Sequence, residues 1–263
     1  MKLQGQGGLC DVKLIFLLRR APCRLFCPAG SAFADPNRAM SKQIAIVAFD
    51  VLGTLFSLDT LRSPLAAMGL PPTALETWFA QTLRDAFALE VTDVFKPFRE
   101  IASGTLKDLL AKHGLPASEN KVEQVLESMT ELAPREDAKA AFTRLREAGI
   151  SILALTNGSP ESTRKLLQRA QLESMVEQVI TIEEVRHWKP HRAVYLHAAK
   201  VLDADPEAMV LVSAHPWDIH GAAHAGLRTT FISPARPFPP AMLQPDFQAG
   251  TLTDIATALA STR

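Results

Sequence analysis

Cysteine is missing from nearly all of this 263-residue chain: the three present, Cys10, Cys23 and Cys27, stand before residue 28. An odd count confined to one end argues against a disulfide framework. The one close spacing, Cys23-x-x-x-Cys27, has no second ligand pair nearby, so it does not read as a zinc site. Charge of one sign is also lacking, with 28 Lys and Arg against 28 Asp and Glu. Without a basic block there is no nucleic-acid footprint, and no nucleic-acid partner is expected. No apolar run reaches the length of a membrane span, so no membrane partner is expected either. Tyrosine occurs once, at Tyr195. What remains is ordinary for a soluble globular protein: 47% hydrophobic and 21% charged residues. The length suits one large domain, or one domain with a sizeable insertion.

The overall neutrality conceals two kinds of sequence, joined near Met40. Residues 1–39 hold six basic residues (Lys2, Lys13, Arg19, Arg20, Arg24, Arg38) against two acidic ones, Asp11 and Asp35. In that stretch the apolar run Val12–Leu18 precedes Arg19-Arg20, the reverse of the order in a secretory signal. Ala32-Phe33-Ala34 has the look of a cleavage site but lies far from the apolar run. Basic, acid-poor character fits an organellar transit peptide. An upstream start, with Met40-Ser41-Lys42 as the true beginning, and a short structured element are the other readings. Residues 1–39 are expected to be a disordered extension, and the protein cytoplasmic unless that extension is an organellar or export address.

Beyond it, Ile44–Phe49 is short, β-branched and continuously apolar, the pattern of a strand buried on both faces. Ile150–Leu155, Val179–Ile182, Met209–Val212 and Thr229–Ile232 repeat the pattern. Helices separate the later strands: one opening at Ser159-Pro160-Glu161 with an N-cap and a proline at its first position, then Arg192–Val201 and Gly221–Ala225. Such alternation predicts an α/β fold with a parallel sheet and right-handed crossovers. The stretch from Phe56 to Ile150 is too long for one crossover and reads as helical. Thr73-x-x-Glu76 has the form of a capping box, and Leu75, Trp78, Phe79, Thr82, Leu83, Ala86 and Phe87 follow at helical spacing. Ile101–Leu115 and Ala117–Leu132 give two more helices. The expected organisation is a core of residues 40–57 and 133–263, with residues 58–132 as a helical cap over the carboxyl ends of the strands, where ligands of open parallel sheets bind.

Those strand ends carry the chemistry. The first ends in Asp50, a carboxylate before a Gly53-Thr54 turn, placed for nucleophilic attack. The second ends in Thr156-Asn157-Gly158-Ser159, where a hydroxyl, an amide and backbone N–H groups could bind an anion. Lys189 after the third could keep Asp50 ionised. Ser213-Ala214-His215-Pro216-Trp217-Asp218 brings a second carboxylate to the same rim. Each feature alone is weak; four consecutive strand ends bearing nucleophile, hydroxyl, cation and carboxylate are not.

This order resembles the haloacid dehalogenase superfamily, and within it the L-2-haloacid dehalogenase (type II) branch. The resemblance runs from about Ile44 to Pro234 and is closest in FDVLGTLF, LTNGSPES, KPHRAVY and VSAHPWDIHGAAHAGL. It implies a Rossmann-like core with a cap inserted after the first strand. It also implies hydrolytic dehalogenation of a short 2-haloalkanoic acid through a covalent aspartyl ester. Asp50 would be the nucleophile, with Lys189, Ser213 and Asp218 completing the catalytic set and positioning water. Thr54, Thr156, Asn157, Tyr195, His215 and Trp217, with Leu52 and Phe79, would surround the substrate. Leu52 stands where the superfamily's phosphatases have a second aspartate that protonates the leaving oxygen and helps hold magnesium. A halide needs no such proton. The resemblance therefore implies no metal and no cofactor, magnesium being required only for the phosphatase alternative. The expected partner is a small organic acid, and a second copy of the chain is suggested by family habit.

The sequence departs from the branch at three places. Phe79 occupies the position of the arginine that grips halogen and carboxylate, with Arg62 as a candidate substitute. Arg84 lies about 140° around the helix and does not simply replace it. Leu52 replaces a tyrosine, and His215 an asparagine. Two alternatives stay open: a hydrolase of this type with a different, less anionic small substrate, or a non-catalytic binding protein on the same fold. His220 and His224, at i and i+4, invite a zinc reading, but their rings would project along the helix flank.

Overall fold

A computed structural model describes residues 43–233 and 237–261. The expectations for residues 1–39 lie outside the described residues. Five apolar runs form the strands expected of them: β1 (Ile46–Phe49), β4 (Ser151–Thr156), β5 (Gln178–Thr181), β6 (Met209–Ser213) and β7 (Arg228–Ile232). A short sixth, β8 (Phe247–Ala249), joins at the edge, giving the order β5-β4-β1-β6-β7-β8 with every pairing parallel. β1 is central and wholly buried, which is why its sequence is apolar without alternation. Phe49 pairs with Ala154 of β4 and with Val212 of β6. That register brings Asp50, Thr156 and Ser213 out at one rim of the sheet.

The crossover helices are α5 (Ala138–Glu147), α6 (Pro160–Arg169), the one-turn α7 (Ile182–Val185), α8 (Arg192–Val201) and α9 (Pro216–Ala225), followed by the terminal α10 (Leu252–Ala260). α6 starts as expected: Ser159 accepts the Ser162 N–H at 3.2 Å, with Pro160 at the first position. α9 begins at Pro216, earlier than Gly221, because proline presets the first helical turn.

Between β1 and β4 the chain makes a long excursion. β2 (Phe56–Ser57) leaves the core and β3 (Ala133–Pro134) returns to it, the two pairing antiparallel as Phe56↔Pro134 and Ser57↔Ala133. Between them lie α1 (Arg62–Ala67), α2 (Ala74–Val91), α3 (Phe98–Lys112) and α4 (Glu119–Ser128). α2 and α3 bury Trp78, whose indole N–H donates to the Ala102 carbonyl at 2.9 Å. Thr82 and Thr105 share a buried hydroxyl–hydroxyl bond of 2.8 Å. The capping box expected at Thr73 is not formed. Thr73 has a turn-like ψ of 0° and makes no side-chain cap bond. Glu76 instead pairs with Arg62. Among the described residues, no helix is long and apolar enough to cross a membrane.

Candidate active site

The rim beyond β1, β4 and β6 holds a buried network of charges. Lys189 Nζ donates to Asp50 Oδ1 at 2.8 Å, to Asp218 Oδ2 at 2.9 Å and to the Leu155 carbonyl at 2.9 Å. An ammonium has three protons, so every one is engaged. Lys189 and Asp218 are fully buried and Asp50 is 3% exposed. Thr54 donates to Asp50 Oδ2 at 2.6 Å and accepts the Ala214 N–H at 3.0 Å, so its hydroxyl is fixed from both sides. The Tyr195 hydroxyl donates to Asp218 Oδ1 at 2.6 Å.

Burial opposes the charged form of Lys189, but Asp218 and Asp50 outweigh it and raise its pKa above the usual lysine value. Burial raises the Asp218 carboxyl, with Asp50 adding to the effect and Lys189 opposing it. Burial, then the Asp218 charge, pushes the Tyr195 phenol well above its usual value.

His215 stands at this rim, where its ring faces Asp50. Its Nε2 lies 2.8 Å from the Leu52 carbonyl, so that nitrogen carries the ring proton. The same atom is 3.5 Å from Asp50 Oδ2. The His215 ring stacks on Trp217 at 5.1 Å and sits 5.6 Å from Phe79 of α2. Phe87 meets the far edge of Trp217 at 5.7 Å. Beside Asp50 is a cavity of ≈ 10 Å³, walled by Leu52, Phe79, Leu83, Phe98, Asn157, His215 and Trp217, room for about one water molecule. Leu52 and Phe98 also border a larger groove of ≈ 650 Å³ between α3, α4 and α6.

The structure thus brings Asp50, Thr54, Lys189 and Asp218 into one bonded network. Leu52, Phe79, Asn157, His215 and Trp217 wall the cavity. Two expected site residues, Thr156 and Ser213, stand one step back, and the amide of Asn157, itself a cavity wall, also braces a loop. Thr156 accepts the Gly158 N–H at 2.9 Å, Asn157 Oδ1 accepts the Lys189 N–H at 3.2 Å, and Ser213 accepts the His215 N–H at 3.1 Å. These bonds shape the loops that carry the network. Tyr195, expected against substrate, lies behind Asp218. Arg62 is bonded to Asp59, Glu76 and the Pro72 carbonyl and borders a groove that Phe79, His215 and Trp217 also line, while Arg84 pairs with Asp85. His220 Nδ1 accepts the Leu243 N–H at 3.0 Å, away from Asp50. Sequence reasoning missed Phe98 as a cavity wall and the Leu155 carbonyl as the third Lys189 acceptor. A backbone acceptor leaves no side-chain signal.

Comparison with known proteins gives a consistent picture. The family model described as haloacid dehalogenase-like hydrolase matches residues 44–226. Haloacetate dehalogenase H-2 of Moraxella sp. (strain B) is 25% identical over 196 residues, covering 73% of this chain and 87% of that protein. (S)-2-haloacid dehalogenase 1 of Pseudomonas sp. (strain CBS-3) is 27% identical over 201 residues, covering 76% of this chain and 86% of that protein. A solved structure of L-2-haloacid dehalogenase from Xanthobacter autotrophicus, with chloropropionic acid covalently bound, superposes with a TM-score of 0.77. It is 20% identical and covers 82% of this chain and 98% of the other, a likeness of fold.

Proposed function

The chain belongs to the haloacid dehalogenase-like hydrolases, and on that premise we propose that it hydrolyses the carbon–halogen bond of a short 2-haloalkanoic acid. The observation that carries this reading is Asp50, buried and held by Lys189 and Thr54, with a leucine two residues on where a proton donor would serve a phosphatase. An Asp50 oxygen attacks the substrate carbon, and the halide departs with the bonding pair, leaving an ester. Water then attacks the Asp50 carbonyl carbon, freeing a 2-hydroxy acid. One Asp50 oxygen in the next cycle therefore comes from solvent.

Lys189 holds Asp50 Oδ1 by a charged hydrogen bond of 2.8 Å. With all three protons bonded it has none to give, and a halide requires none. Asp218 takes the proton of the attacking water, and burial that raises its pKa strengthens it as a base. Tyr195 positions Asp218. This chemistry needs no metal: Lys189 supplies the positive charge beside Asp50, and a departing halide takes no proton. We read residues 58–132 as a cap that closes over the substrate, with Phe79, Leu83 and Phe98 as its contribution to the cavity.

A single turnover with L-2-chloropropionate in oxygen-18 water is expected to add the heavy isotope to the Asp50 peptide, read by mass spectrometry. Asp50→Asn should abolish halide release. Halide release without isotope at Asp50 rules out the ester. The apolar wall at Phe79, Leu83 and Trp217 favours one second reading, a less anionic substrate of the same reaction type. Faster turnover of the corresponding haloamide would support it.

A further inference from the structure

Glu90 stands in the last turn of α2 and crosses to the loop that delivers Lys189. Its Oε1 lies 2.8 Å from His187 Nδ1 and 4.0 Å from His191 Nε2. Its Oε2 accepts the Trp188 N–H at 2.8 Å. The two imidazoles stack at 4.1 Å with planes 12° apart. Among the described residues, these three are the one group of His, Cys, Asp and Glu side chains whose ligand atoms all lie close enough to share an ion, within 4.8 Å. Tetrahedral ligands about 2.0–2.1 Å from zinc lie about 3.3 Å from one another, so small rotations bring the trio into range.

We propose that Glu90, His187 and His191 bind a divalent transition-metal ion of the zinc type, at a site apart from Asp50 that ties the helical insertion to the Lys189 loop. Two imidazoles and one carboxylate suit zinc or cobalt over magnesium or calcium, which take oxygen ligands. The side chains of Glu90, His187 and His191 are 15%, 36% and 43% exposed, so an ion can enter from solvent and keep water in its fourth position. Each neutral imidazole presents one lone pair. Binding at His187 Nδ1 and His191 Nε2 moves the ring protons to the other nitrogens and releases none. His191 Nδ1 thereby gives up the Ala193 N–H that it accepts at 3.2 Å, a cost that weakens binding. α2 also carries Phe79 and Leu83, so an occupied site keeps the Asp50 cavity closed and slows turnover, a consequence that rests on the proposed function, as the binding does not.

The full chain titrated with Co²⁺ (visible d–d absorption) and with Zn²⁺ (calorimetry) should take up one equivalent that weakens at least about tenfold in each of two variants. His187→Gln keeps a hydrogen-bond donor for Glu90, and His191→Ser keeps a helix cap for Ala193. His220→Gln should leave that equivalent intact. No uptake up to about 1 mM ion, or an equivalent that survives either variant, overturns the site. Zn²⁺ should slow halide release by wild type and spare both variants. Unchanged turnover at saturating ion overturns the tie between insertion and loop. Ion uptake by a protein that turns over no haloacid leaves the site standing and removes only the proposed function.

Discussion

Lys189 is the residue on which the site turns. It is the sole bonded counter-charge seen between two buried carboxylates, and breaking such a buried pair typically costs about 3–5 kcal/mol. Its folded pKa is raised above the ordinary lysine value. The stability it contributes is therefore fully present below that ordinary value, about 10.4, and is lost as pH rises through the higher folded value. Tyr195 acts in the same direction, because its folded pKa is also raised and the unfolded chain gives up the phenolic proton first. Urea midpoints should fall above about pH 10, and less steeply in Tyr195→Phe than in wild type. At Phe79 the expected gain is in binding. Phe79→Arg places a cation on the cavity wall, and a charged hydrogen bond to a carboxylate is worth about 1.5–3 kcal/mol. KM for 2-chloropropionate should drop about tenfold or more, and an unchanged KM excludes a carboxylate bound beside this position. The sequence made Asp50, Lys189 and Asp218 legible because each follows, directly or after a short stretch, a strand of recognisable pattern. The Glu90 trio was not legible, since Glu90 belongs to a segment distant from the two histidines and only the fold brings it to them.

At the scale of elements, the packing of α9 against the Lys189 loop depends on a side chain that is absent. A Cβ at Gly221 would lie 2.5 Å from Pro190 Cβ, 2.6 Å from the Pro190 carbonyl oxygen and 2.8 Å from the Tyr195 hydroxyl. Gly221→Ala should therefore cost about 1–3 kcal/mol of stability by urea denaturation. It should lower kcat more than it changes KM, since the displaced loop holds Lys189. A second glycine is constrained similarly: Gly53 has a φ of +80°, and a Cβ there would meet His215 Nε2 at 2.9 Å. The strands with apolar runs were readable from sequence, because burial on both faces demands such runs. β8 was not, because its three residues FQA are mostly exposed and carry no periodic signal. The failed capping box has a similar cause: Glu76 has a cationic partner in Arg62, supplied by α1 and unseen in the local motif.

For the whole molecule, the parallel sheet and the long helical insertion were legible as an interval too long for one crossover. How tightly the insertion meets the sheet was not. The cavity of ≈ 10 Å³ beside Asp50 is narrow, and Leu52 and Phe98 join its wall to the larger groove between α3, α4 and α6. Every residue of the bonded network lies between Asp50 and Asp218, within the family match at residues 44–226. Removal of residues 1–39 should accordingly leave kcat and Tm unchanged, and a loss of either assigns that segment a part in the enzyme.

The paired β2 and β3 bear on ancestry as well as on structure. The insertion departs and returns side by side, so its length scarcely burdens the sheet: each doubling of a closed loop costs only about 0.6 kcal/mol. Mutation can lengthen, shorten or replace the stretch between Ser57 and Ala133 while β1 still pairs with β4. The bonded network thus lies wholly outside the insertion, which contributes Phe79, Leu83 and Phe98 to the cavity wall. Phe79 lies on the stretch whose length the sheet tolerates, and Asp50, Lys189 and Asp218 on the stretch that builds the sheet and its rim.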